Sequence, residues 1–286
     1  MNDRVQTNVV GGLHWFSALK YLIYLLLCIN VFVFLMEELA AMEHTFGSGF
    51  SGGDLIQMFS ATIDTAAWVV LLLLFELETS VIDDARLHGW LKRVLHWVRL
   101  ICYVFIVYAC YGYVLELQAL YQVSELTVPA CSVLSQDWSI LLDLDEYVAM
   151  DASNCASLLQ PVTRVDGLGS ILSSADVLHA ARWLAWTDVL NASAWILVVL
   201  VLEWDVRLQL KHELQGNLIS VSKLVKAVLY TILLFAAVYW GFAGDFIDFW
   251  DAFLWLFAFI FIEINVFSWQ AETNAAADAI GEPHAT

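Results

Sequence analysis

Basic residues and prolines are both scarce in this sequence. Lys and Arg together number 12 against 30 Asp and Glu, and 286 residues contain three prolines. No basic stripe exists for a polyanion to follow, which excludes nucleic acid as a partner. Mitochondrial carriers place a proline followed by spaced charges on their odd-numbered helices, and that signature is absent too. Charge of either sign is thin, at 15% of residues, where a soluble domain has about a quarter. No lysine sits mid-run for a retinal Schiff base, no His pair lies within an apolar run to hold haem, and no TVGYG-like filter string occurs. Three or four converging metal ligands are not apparent. Gly49-Phe-Ser51-Gly52-Gly53 matches G-x-S-x-G, but Ser51 precedes a helix in a loop, and the last three apolar runs hold no His to act as its base. The expectation is therefore a non-enzyme without cofactor or metal.

What is present is apolar length. Hydrophobic residues make up 61% of the chain, and the mean hydropathy is +0.73. Six apolar runs occur, at about 19–37, 56–76, 97–116, 183–203, 224–243 and 249–267. Each is long enough to cross a hydrocarbon core of about 30 Å as a helix. The runs are continuous rather than alternating, which favours helices over a barrel. Residues 1–13 are polar and the first run has no small-residue cleavage site, so it reads as a retained span rather than a signal peptide.

The runs repeat. Asp64-x3-Trp68-x7-Glu76-x-Glu78 recurs as Asn191-x3-Trp195-x7-Glu203-x-Asp205 and as Asp251-x3-Trp255-x7-Glu263-x-Asn265. A second pattern, Lys20-x3-Tyr24, Arg99-x3-Tyr103 and Lys226-x3-Tyr230, opens the run before each copy. The first two copies of the first pattern are 127 residues apart, and the same offset carries Arg99 onto Lys226 and Tyr103 onto Tyr230. Repetition at a fixed offset signals internal repeats. The fold expected is all-α and integral to the membrane: six transmembrane helices as three parallel helical-hairpin repeats, with an extracytoplasmic loop between helices 3 and 4. It divides the chain into 1–116 (lead and helices 1–3), 117–181 (acidic loop), 182–269 (helices 4–6) and 270–286 (polar cytoplasmic tail).

Orientation follows from the basic residues. With the N-terminus inside, ten of the twelve fall on the inner side, leaving Arg164 and Arg182 outside. Both termini are then cytoplasmic, in the cell (inner) membrane, and the loop faces an oxidising space where a Cys131–Cys155 disulfide is expected. Cys28, Cys102 and Cys110 fall in runs and read as packing residues.

Acids inside the runs carry the functional expectation. The first polar residue and the Glu of each W-x7-E motif are about 18 Å apart along a helix, so at least one lies within the core. A buried acid costs about 2.5–3.5 kcal/mol on the insertion scale and normally faces other protein. Asp64, Asp188, Asn191, Asp251 and Glu263 are read as an ion pathway, and Lys20, Glu76, Arg99, Glu203 and Lys226 as an inner charge clamp locking the hairpins. The leading expectation is a cation or proton channel or transporter, as a single bundle or a homo-oligomer. Its rival is a non-transporting scaffold or accessory subunit that binds a partner, such as another membrane protein, through the acidic outer loop.

Overall fold

The computed structural model describes residues 3–45, 58–78, 82, 89–134, 137–158, 161–210, 217–243, 246–259 and 261, with side chains from Trp15 onward except 206–217 and 219. The chain is mostly helical. The helices are α1 (Asp3–Thr45), α2 (Ser60–Glu76), α3 (Trp90–Ala119), α4 (Ala175–Leu210) and α5 (Asn217–Ala243). A further helical stretch, α6, covers 246–259. None of the three prolines falls in these helices, so nothing removes a backbone donor from their interiors. Among the described residues, four helical segments are long and apolar enough to cross a membrane: Trp15–Thr45, Trp90–Ala119, Ala175–Asp205 and Ser220–Ala243. Large apolar side chains stay exposed along them, among them Phe235, Phe242 and Leu224, as suits a helix whose outer face meets lipid.

Two expectations are corrected here. The chain is not all-α: a five-stranded sheet lies between α3 and α4, in the segment read as an acidic loop. Its strands are β1 (Val123–Glu125), β2 (Ser139–Asp143), β3 (Glu146–Ala149), β4 (Val162–Val165) and β5 (Ile171–Ser174), in the order β1-β4-β5-β2-β3. Strands of three to five residues carry too few alternations to stand out beside spans of twenty or more. The second correction concerns ends. Residues 38–45, beyond the first apolar run, continue α1, and the N-terminal lead from Asp3 is helical as well. Apolar runs mark where a helix meets lipid, not where its hydrogen bonding stops.

The described residues form two compact units. The first takes its residues from 1–31, 65–102 and 250 onward. There Trp68 meets Trp255 edge-to-face at 6.4 Å and Phe16 meets Phe261 at 4.9 Å, a preferred aromatic geometry. Leu27, Leu254 and Ala258 are fully buried in it.

The second unit covers 32–64 and 103–249, including the sheet, α4 and α5. The sheet has its own core of Ala130, Trp138, Ile140, Leu158, Val162 and Leu172. A Cys131–Cys155 disulfide closes it, with Cα atoms 5.1 Å apart. Cys28, Cys102 and Cys110 are free, on α1 and α3. The sheet rests on helix ends: a Cβ on Gly167 would lie 2.5 Å from the Ala119 backbone, so only glycine lets that turn approach α3. Arg182 of α4 donates two hydrogen bonds to the Leu120 carbonyl just past the end of α3, at 2.8 and 3.0 Å, satisfying a carbonyl the helix leaves open.

Candidate functional site

Charged side chains on these helices gather in two ways. The first is pairing. In the first unit Lys20 Nζ meets Glu76 Oε1 at 2.5 Å, both nearly sealed from solvent. The Tyr21 and Tyr24 hydroxyls donate to the same carboxylate at 3.2 and 3.4 Å. Lys20 and Tyr24 lie one turn apart on α1, so one face of that helix supplies two donors to Glu76. Arg99 Nη2 meets Glu78 Oε2 at 2.7 Å, half-buried. In the second unit Lys226 Nζ and Ser222 Oγ both donate to Asp205 Oδ2, at 2.7 and 2.6 Å.

Of the residues read as a clamp, then, Lys20 and Glu76 meet each other. Arg99 and Lys226 meet Glu78 and Asp205, the second acid of each W-x7-E-x-acid motif. Glu203 is exposed. The lysine pair Lys226–Asp205 stands 127 residues after the arginine pair Arg99–Glu78 at both positions.

The second way is a gathering of acids, in the second unit. Glu38, Asp64 and Asp188 are all buried. The Glu38 carboxylate caps α2: its Oε1 accepts the Ala61 N–H at 2.8 Å, and both oxygens accept from Thr62 at 3.3–3.4 Å. This fills backbone donors that a helix start leaves open and places negative charge at the positive end of the dipole. Asp188 accepts the Trp240 indole N–H at 3.2 Å. The charges of Asp64, Asp188, Asp248 and Glu38 all reach the Tyr113 hydroxyl on α3. One turn further along α3, the charges of Asp145, Asp188 and Glu38 all reach the half-buried Glu116. On β3, burial pushes the Tyr147 phenol well above its ordinary range, and the charges of Asp145 and Glu116 push it the same way.

The residues read as an ion pathway are therefore divided. Asp64 and Asp188 belong to the acid group, with Asn191 half-buried nearby along α4. Asp251 lies in the first unit, where the Asn30 amide donates to it at 2.9 Å. Glu263 falls outside the described residues. Glu38, Glu116 and Asp145 were not among the candidates. The first two sit at the edges of apolar runs, where acids pass for interfacial flanks. Asp145 comes from the β2–β3 turn.

No cluster of three or more His, Cys or acids with metal-holding geometry occurs among the described residues. No family model, curated protein or solved structure matches the chain.

Proposed function

We propose that this chain is a polytopic membrane protein that passes protons or small cations across the membrane, with buried carboxyl groups as the carriers. The observation that supports it is that three buried acids, Glu38, Asp64 and Asp188, come from three helices of one unit, with the charge of each reaching Tyr113 on α3. Acids held together away from water repel, and a bound proton or cation relieves that repulsion. The proposal includes six spans as three hairpin repeats, in keeping with the recurrence of Arg99–Glu78 as Lys226–Asp205. It places both termini in the cytoplasm and the sheet outside, on the distribution of Lys and Arg.

The test is proton and cation flux into proteoliposomes, wild type beside Asp64→Asn. The expected result is flux in wild type, lost in Asp64→Asn with an unchanged elution profile. Absence of wild-type flux under every gradient would leave the second reading, a scaffold holding a partner protein on its outer domain. The independent core and disulfide of the sheet favour that reading.

A further inference from the structure

The exposed large side chains of α4 follow one line. Trp183, Trp186, Leu190, Leu197, Leu200 and Trp204 are all exposed. At about 100° per residue they share an arc of about 100°. The buried Asp188 lies on the opposite side of the helix. The stripe is aliphatic in its middle and indole at both ends. Trp186 and Trp204 are about 27 Å apart along a helix that rises 1.5 Å per residue. A hydrocarbon core is about 30 Å thick.

The end of the stripe nearer the sheet is suited to a boundary between water and lipid. The Trp186 indole N–H donates to the Tyr121 hydroxyl at 3.3 Å, and that of Trp183 to His179 Nε2 at 3.3 Å. The Arg182 guanidinium lies 4.4 Å from the centre of the Tyr121 ring while it donates to the Leu120 carbonyl. Apolar rings with polar tips, and a cation on an apolar stem, favour the headgroup layer of a bilayer. Hydrogen bonds between α4 and α5 stand at the same two levels. The Trp240 indole reaches Asp188, two residues past Trp186, and Ser222 and Lys226 reach Asp205 beside Trp204. Between these levels Ala194, Val198, Leu229 and Leu233 form an apolar cluster.

We infer that the bilayer surface on the side of the sheet lies at Tyr121, Trp183 and Trp186, and the other surface at Trp204. The aromatic and basic edge seats the sheet on phospholipid headgroups, and the leucine face below it meets acyl chains. Asp188 then lies about 3 Å below Trp186 along α4, at the sheet-side mouth of the membrane and not at its centre. The inference rests on the reading that the chain spans a membrane. It does not depend on whether an ion crosses, so a failed flux assay leaves it standing.

The test is electron paramagnetic resonance on the full chain in phospholipid vesicles. A nitroxide carried by para-acetylphenylalanine is placed at 179, 190, 197 or 204, one position at a time, which leaves the cysteines untouched. All four positions are exposed. Collisions with oxygen, which dissolves in lipid, are compared with collisions with a nickel chelate, which stays in water. The oxygen-to-nickel ratio should peak at 197, about fivefold or more above its value at 179, because 197 lies deep in the hydrocarbon core. It should be intermediate at 190 and fall again at 204. Position 200 replaces 197 if that variant does not elute as wild type. Nickel access at 197 equal to that at 179 would show a stripe facing water. Exclusion of both reagents from 197 would show a protein, such as a second copy of this chain, covering the stripe. A peak at 190 would move the boundary toward the sheet. Each of these three results overturns the inference.

Discussion

The α1 helix carries Lys20 in the first unit and Glu38 in the second, and the two regions solve the same problem differently. Where Lys20 lies, an acid receives a cation and two phenols. Where Glu38 lies, acids meet backbone N–H groups and an indole, within reach of one another's charge. An opposite charge fixes a carboxylate in one ionisation state. A neutral donor or a second carboxyl leaves the proton free to come and go. A count of acids in apolar helices cannot separate these cases. What separates them is the company each acid keeps.

The largest expected effect comes from breaking the paired region. Lys20→Met leaves Glu76 buried without its cation. Removing one member of a buried pair costs about 3–5 kcal/mol, whereas replacing both members with apolar residues is often close to neutral. Reversible unfolding in mixed micelles should therefore show a large loss for Lys20→Met and recovery of most of it in Lys20→Met with Glu76→Leu. A double variant as unstable as the single would mean that the tyrosine hydroxyls, not the ion pair, set the energy at this end.

A smaller effect tests whether the pairing is a repeated device. Arg99–Glu78 and Lys226–Asp205 are partly solvated, so each should contribute on the order of 1 kcal/mol. Arg99→Met and Lys226→Met should destabilise by similar amounts in the same assay. If one costs several-fold more than the other, the shared offset of 127 residues reflects sequence pattern without shared mechanics.

Much of the helical frame was legible because apolar runs of twenty residues admit few alternatives in a bilayer. Cys131 and Cys155 were legible as a pair from their shared acidic segment. The sheet was not: Val162-Thr-Arg-Val165 and Ile171-Leu-Ser-Ser174 are too short for a period to show against their surroundings, and their pairing is long-range. At the site, Asp64 and Asp188 announced themselves by sitting inside apolar runs. Glu38 and Glu116 did not, because an acid at the edge of a run looks like a solvated flank until the chain beyond it is seen to fold back. For Glu38 that signal is continued helix through Thr45. For Glu116 it is a turn at Asp145, whose left-handed backbone no spacing rule would pick out.

The smallest expected effect is the one that sharpens the comparison most. Glu38 holds the start of α2 through hydrogen bonds from Ala61 and Thr62, and the charge of Asp145 reaches it. In Glu38→Gln the side-chain oxygen still accepts those bonds. The favourable term between a negative charge and the helix dipole is lost, about 0.3–1 kcal/mol, and repulsion from Asp145 is lost with it. These changes oppose, so Glu38→Gln should leave stability within about 0.5 kcal/mol of wild type. Glu38→Leu removes the acceptor and leaves buried N–H groups open, at a cost of about 1–3 kcal/mol. The unfolding assay used for Lys20→Met reads both. A cost for Gln as large as that for Leu would show that Glu38 is held by its charge, as Glu76 is, and the distinction between the two regions would fail. A silent Gln beside a costly Leu would show that this region needs oxygen acceptors at fixed positions and tolerates either protonation state of the acid that supplies them. A carboxyl that exchanges protons requires that tolerance.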